Sequence, residues 1–169
     1  KMPSIAVDDN YADIRGLERE YCAKMRQHFS MAAKAFNRGD GKTAKMESQE
    51  GNRYKSMYLE EKYSAVARTL ASKNSMLNMA ESIDLHGLHE DEVENVLSHF
   101  ISDIQMKLNT GEIQPNSGHR RGHCVTIITG KGNNSRNFKP VVKNEVRRCL
   151  KEAGIGCREG DGFFTISIV

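Results

Sequence analysis

Long apolar runs are missing from this 169-residue chain. No stretch approaches the ~20 consecutive apolar residues of a membrane span, so a membrane protein is not expected. No charged-then-apolar leader is visible at the start, and the opening Lys1-Met2 is what a fragment would show. Cysteine is sparse and scattered: Cys22, Cys124, Cys149 and Cys157 form no CxxC pair. Neither a zinc site nor a disulfide framework is therefore indicated, and reduced thiols in a cytoplasmic protein are the expectation. Two phosphate-binding signatures are also absent. The Gly130-Lys-Gly-Asn133 stretch lacks the GK[ST] ending of a nucleotide-hydrolysing P-loop, and no three-glycine dinucleotide fingerprint occurs.

What is present is uneven charge. The net charge is only +3, yet residues 119–151 hold nine basic side chains against one acidic. Residues 81–118 hold one basic against eight acidic. A chain that gathers its cations in one segment can meet a polyanion without being strongly basic as a whole. The acidic group Glu90, Asp91 and Glu92 has a structural reading instead, because carboxylates favour the first turn of a helix. No metal or other cofactor is expected, although a divalent ion is compatible with the residues.

Periodicity divides the chain. From Asp8 to Asn37, Ile14, Leu17, Tyr21, Met25, Phe29, Ala32 and Phe36 recur at helical spacing. Arg38-Gly-Asp-Gly41 interrupts them, with Gly39 suited to follow a helix and Asp40 to cap the next. A second helical run covers about Lys42–Lys73, weakened by Gly51 at about 1 kcal/mol relative to Ala. Two long helices with a short turn make an αα-hairpin. Its tyrosines and methionines are either an RNA-stacking strip or the seam between the helices, and their spacing favours the seam. Beyond it come a short strand at about 81–86, an amphipathic helix over 89–109, and a β-branched strand over 124–129 that reads as buried. A helix from about Phe138 to Gly154 follows, then strands near 155–158 and 163–168 around the turn signal Glu159-Gly-Asp-Gly162. The expected fold is α/β: an N-terminal αα-hairpin over 1–78, then a two-layer β-α-β-α-β-β domain over 79–169 with a mixed four-stranded sheet.

Topology then gathers the chemistry. If the first two strands are parallel, Asp84 and His86 at the end of one emerge beside Gly130-Lys131-Gly132 at the end of the other. Ligands of open α/β sheets bind beyond such carboxyl ends. Asp84 and His86 are an acid/base pair, Gly87 permits the turn that follows, and Lys131 beside exposed backbone N–H groups is a phosphate cradle. Asn133, Asn134, Ser135 and Arg136 add donors. Arg120, Arg121, His123, Lys139, Lys143, Arg147 and Arg148 are candidate phosphate contacts of a nucleic acid. Each signal alone has a plainer reading: Gly-Lys-Gly occurs in ordinary turns, Arg147 and Arg148 suit a solvated face, and His119 and His123 suit a plain loop.

Ile83-Asp-Leu-His-Gly87 and Thr129-Gly-Lys-Gly132, with the element order around them, resemble the Smr (small MutS-related) domain. Residues from about Tyr11 to Asn78, through Ala33, Phe36, the Gly39-Asp40 turn, Gly51 and Tyr54, are similar to the helical segment that often precedes Smr in eukaryotic members. The resemblance implies a fold close to the C-terminal domain of bacterial translation initiation factor three. It also implies an endonuclease for single-stranded RNA, of the kind that cuts mRNA on stalled or collided ribosomes in mRNA decay and ribosome quality control. Asp84, His86 and Lys131 would be catalytic. Lysine stands where the family also uses arginine and gives up the bidentate fork toward phosphate. The alternatives are a non-catalytic RNA- or ribosome-binding module and a DNA nicking nuclease.

Overall fold

The computed structural model describes residues 14–117, 122–131 and 140–169. The chain divides into two compact units between Thr69 and Leu70. The expected boundary at 78/79 lies further along, because the last helical turn before it packs within the second unit through Asn74.

The first unit is the expected hairpin. Helix α1 spans Gly16–Asn37 and α2 spans Gly41–Asn74. Gly39 takes φ +79° in the turn between them, a value that an L side chain resists. Asp40 Oδ1 then accepts the Thr43 N–H at 3.0 Å and caps α2. The helices meet at Tyr21 and His28 on one and Glu47 and Tyr54 on the other. His28 Nδ1 lies 2.7 Å from Glu47 Oε2, and its ring stacks on Tyr54 at 5.3 Å between centroids. The tyrosines Tyr21 and Tyr54 thus belong to the seam. Gly51 has its reason here too: a Cβ added to it would sit 2.7 Å from Phe29 Cε1. A side chain at this position would have to displace the ring.

The second unit is a four-stranded mixed sheet with helices on one face. Strands β1 (Ser82–Asp84), β2 (His123–Ile128), β3 (Cys157–Glu159) and β4 (Phe163–Ile168) lie in the order β1-β2-β4-β3. β1 and β2 are parallel, with Asp84 opposite Ile128, and the other pairings are antiparallel. Helix α3 (Glu90–Asn109) buries Val93, Leu97, Phe100 and Ile104, and helix α4 (Val141–Glu152) buries Val146 and Leu150. These face Val125, Ile127, Phe164, Ile166 and Ile168, all at most 3% exposed. β2 alternates, with Cys124 exposed between buried neighbours, so it is covered on one face and not on both as its β-branched run suggests. Glu92 explains the acidic start of α3, since its Oε2 accepts the His89 N–H at 2.8 Å as half of a capping box.

Candidate functional site

β1 ends at Asp84, two residues before the expected limit, and the cause is Asp84 itself. Its Oδ1 accepts the His86 backbone N–H at 2.9 Å, which bends the chain out of the strand in an Asx turn. The same oxygen lies 2.5 Å from His86 Nδ1. A carboxylate only accepts, so Nδ1 carries the hydrogen and Nε2 is left for proton chemistry. The Asp84 side chain is 12% exposed, whereas the His86 side chain is 44% exposed. The carboxylate is held inside and the imidazole looks out. Gly87, at φ +91°, then lets the chain reverse toward α3.

The parallel register delivers the second turn to the same place. After Ile128, Gly130 adopts φ +71°, and a Cβ there would touch His86 Cβ at 3.4 Å. The next residue is Lys131, so Asp84, His86, Gly130 and Lys131 come together as expected. A third turn, Gly160–Gly162 of the β3–β4 hairpin, completes the group. Gly162 O accepts the N–H of Thr129 at 2.8 Å and of Gly130 at 3.1 Å. These two amides are spent inside the fold, and the amides of residues 132–135, also part of the expected phosphate cradle, lie outside the described residues. Lys131 Nζ sits 2.5 Å from Asp161 Oδ2, with the two side chains 59% and 75% exposed. That hydrogen bond and the lysine's charge hold the Asp161 carboxyl below its usual value.

Other expected contacts lie elsewhere. His123 begins β2, at the end remote from Ile128, and is 3% exposed. Its ring nitrogens face Ala80 O at 2.5 Å and Gln114 O at 3.2 Å, so it ties segments together and does not reach a ligand. Lys143 Nζ donates to Gly160 O at 3.0 Å and pairs with Glu159 at 2.9 Å. Arg147 makes a two-point contact with the same Glu159, and Arg148 joins Glu94, Glu145 and Glu152. Arg147, and after it Lys143, hold the Glu159 carboxyl down at about 2. These cations are committed to intramolecular partners. Arg120, Arg121, Gly132, Asn133, Asn134, Ser135, Arg136 and Lys139 lie outside the described residues. Sequence reasoning missed Asn74 and Asp161. Asp161 was visible only as part of a turn signal, and Asn74 only as an asparagine near a helix end.

A scan against family models matches the Smr domain to residues 83–155, which span both glycine turns and the strand–helix units carrying them. Residues 83–155 are thus similar to the Smr domain. The human NEDD4-binding protein 2 is 28% identical over 127 residues, which is 75% of this chain and 7% of that protein. This chain thus spans only a small part of that relative's length. The solution structure of the B3BP Smr domain aligns with a TM-score of 0.48 and 23% identity, over 62% of this chain and 93% of the other. The Smr domain is a nuclease-related, nucleic-acid-binding fold. Among the described residues no helix is long and apolar enough to cross a membrane.

Proposed function

We propose that the Smr domain is an endoribonuclease for single-stranded RNA, acting in the cytoplasm on mRNA, with the ribosome as its setting. The observation that carries this reading is the 2.5 Å contact of His86 Nδ1 with Asp84, in a turn packed against the one that bears Lys131. Nε2 of His86 takes the proton of a ribose 2′-hydroxyl. The 2′-oxygen attacks phosphorus, the bond to the 5′-oxygen breaks, and that oxygen takes a proton from solvent. The products are a 2′,3′-cyclic phosphate and a 5′-hydroxyl. Asp84 holds the ring and balances the imidazolium that forms. Lys131, exchanging Asp161 for a phosphate oxygen, offsets the charge of the pentacoordinate phosphorus. No metal or cofactor has a role in this proposal.

The test is end-group analysis of single-stranded RNA cut by the wild type, by His86→Ala and by Asp84→Asn, with and without EDTA. General-base catalysis contributes roughly 10²–10⁴-fold, so each variant should lose at least about 100-fold in rate while still binding RNA. Cleavage of RNA carrying 2′-O-methyl at the scissile position would overturn the 2′-hydroxyl route. Loss of cleavage in EDTA would replace the proposal with a metal-dependent one. RNA binding without any cleavage by the wild type would leave a binding module.

A further inference from the structure

Among the described residues, β1 is an edge strand of three residues with no strand on its outer side. At Asp84 that side is closed by a single side chain. Asn74, the last residue of α2 and 8% exposed, accepts the Asp84 N–H through Oδ1 at 2.7 Å. Its Nδ2 donates to Asp84 O at 3.0 Å and also to Leu70 O at 2.8 Å. The carboxamide thus makes both bonds that a neighbouring peptide group would make in a β-ladder. Its orientation is fixed, because turning it over would set N–H against N–H and oxygen against oxygen. Both backbone groups of Asp84 are tied on this outer side. From there the Asp84 carboxylate reaches the backbone and the ring of His86.

We infer that Asn74 is the positioning residue of the Asp84–His86 pair, acting on the imidazole through the Asp84 backbone. The inference deepens the proposed ribonuclease and rests on it for its kinetic consequence, but its geometric content is separate. A strand end with a free outer edge would let Asp84 rotate about its backbone bonds. The carboxylate would then no longer present one oxygen to both the backbone N–H and Nδ1 of His86. With Asn74 in place the ring is held before substrate arrives, which is the condition for efficient proton transfer from a side chain supported by a fixed outer shell.

Three measurements on the whole chain test it. In the wild type, hydrogen–deuterium exchange of the Asp84 amide should be as slow as that of β2 amides, and exchange at the rate of a free edge would overturn the inference. In Asn74→Ala, the NMR signal of the His86 Nδ1–H hydrogen should broaden or vanish, as it must in Asp84→Ala, which removes the acceptor. Asn74→Asp keeps an acceptor for the Asp84 N–H but loses the donor, and should give an intermediate signal. It is also the variant to read if the alanine does not fold. An unchanged His86 signal in a folded variant would overturn the inference and leave Asn74 a plain structural tie. In kinetics, kcat should fall at least tenfold in Asn74→Ala while KM for a single-stranded RNA stays within about twofold. Absence of cleavage by the wild type would sink the ribonuclease reading alone, since the exchange and NMR results decide the positioning role without it.

Discussion

Asp161 is the residue against which the proposed use of Lys131 can be measured most directly. Its carboxylate sits on Nζ at 2.5 Å, where a phosphate oxygen would sit in a complex. RNA must displace it, so removing the carboxylate should tighten binding. The size of the gain follows from exposure. Both side chains are mostly in water, where an ion pair shifts an equilibrium by a factor of about 1.4 to 5 at low salt. Asp161→Asn should therefore lower Kd for single-stranded RNA by about 1.4- to 5-fold, and no more. Salt dependence gives a second handle. The freed carboxylate of the wild type remains beside the bound strand and opposes counterion release. The slope of log K against log salt should be steeper in Asp161→Asn by up to about 0.7, the value of one phosphate contact on a single strand. Fluorescence anisotropy with a labelled RNA between ~50 and ~200 mM salt reads both quantities, in a His86→Ala background that keeps the RNA intact. A general charge effect is separated by a double-mutant cycle with Lys131→Ala. If Asp161→Asn tightens binding equally when Lys131 is gone, the carboxylate repels RNA from a distance. Its pairing with Lys131 is then irrelevant, and the argument fails.

Two further predictions concern groups away from the pair. His123→Leu leaves Ala80 O and Gln114 O without their ring partner. It should cost about 1–3 kcal/mol in urea unfolding. RNA affinity should be unchanged, because β2 starts at the far end from the site; a fall in affinity with stability intact would restore His123 as a contact. Glu159 has its carboxyl held at about 2, against an ordinary 4.5. A depressed carboxyl stabilises the fold fully above its unfolded value, and that contribution is lost as pH falls toward about 2. Carbon-13 titration of Glu159 should show a midpoint near 2 that moves up toward 4.5 in Arg147→Ala, and a wild-type midpoint already near 4.5 would refute the pairing.

Much of this arrangement was legible because it is written in periodicity and in turn residues. The stripe Val93, Leu97, Phe100 and Ile104 could only be a helix on a core, and Gly39-Asp40 could only be a turn with a cap. Parallel pairing of β1 and β2 follows from the helix between them, and it places Asp84 and Lys131 at one edge of the sheet. The failures have a common physical cause. His123 and Lys143 are polar side chains whose partners are backbone carbonyls or a carboxylate far away in sequence, and composition says nothing about which polar group finds a partner inside the fold. Asn74 is the extreme case. An asparagine near a helix end reads as a stop signal, and only the packing of that turn against β1 reveals a carboxamide acting as a strand. Gly51 erred in the other direction, looking like a weakness in α2 until Phe29 was seen against it.

The spent amides of Thr129 and Gly130 change how the site must work if it cleaves RNA. A glycine turn with free N–H groups could hold a phosphate by several directed bonds and fix its angle to the attacking oxygen. Here those two amides are tied to Gly162 O, which fixes the start of the turn and places Lys131. A lysine ammonium has no planar fork, so it attracts a phosphate without setting its orientation. The direction of attack must then be set by the partner whose geometry is fixed. In this site that is His86, held at Nδ1 by Asp84, whose backbone is clamped by Asn74. Binding strength and catalytic geometry are thereby assigned to different turns. Changes at Lys131 and Asp161 should move affinity and salt dependence, whereas changes along Asn74, Asp84 and His86 should move the rate of the bound complex.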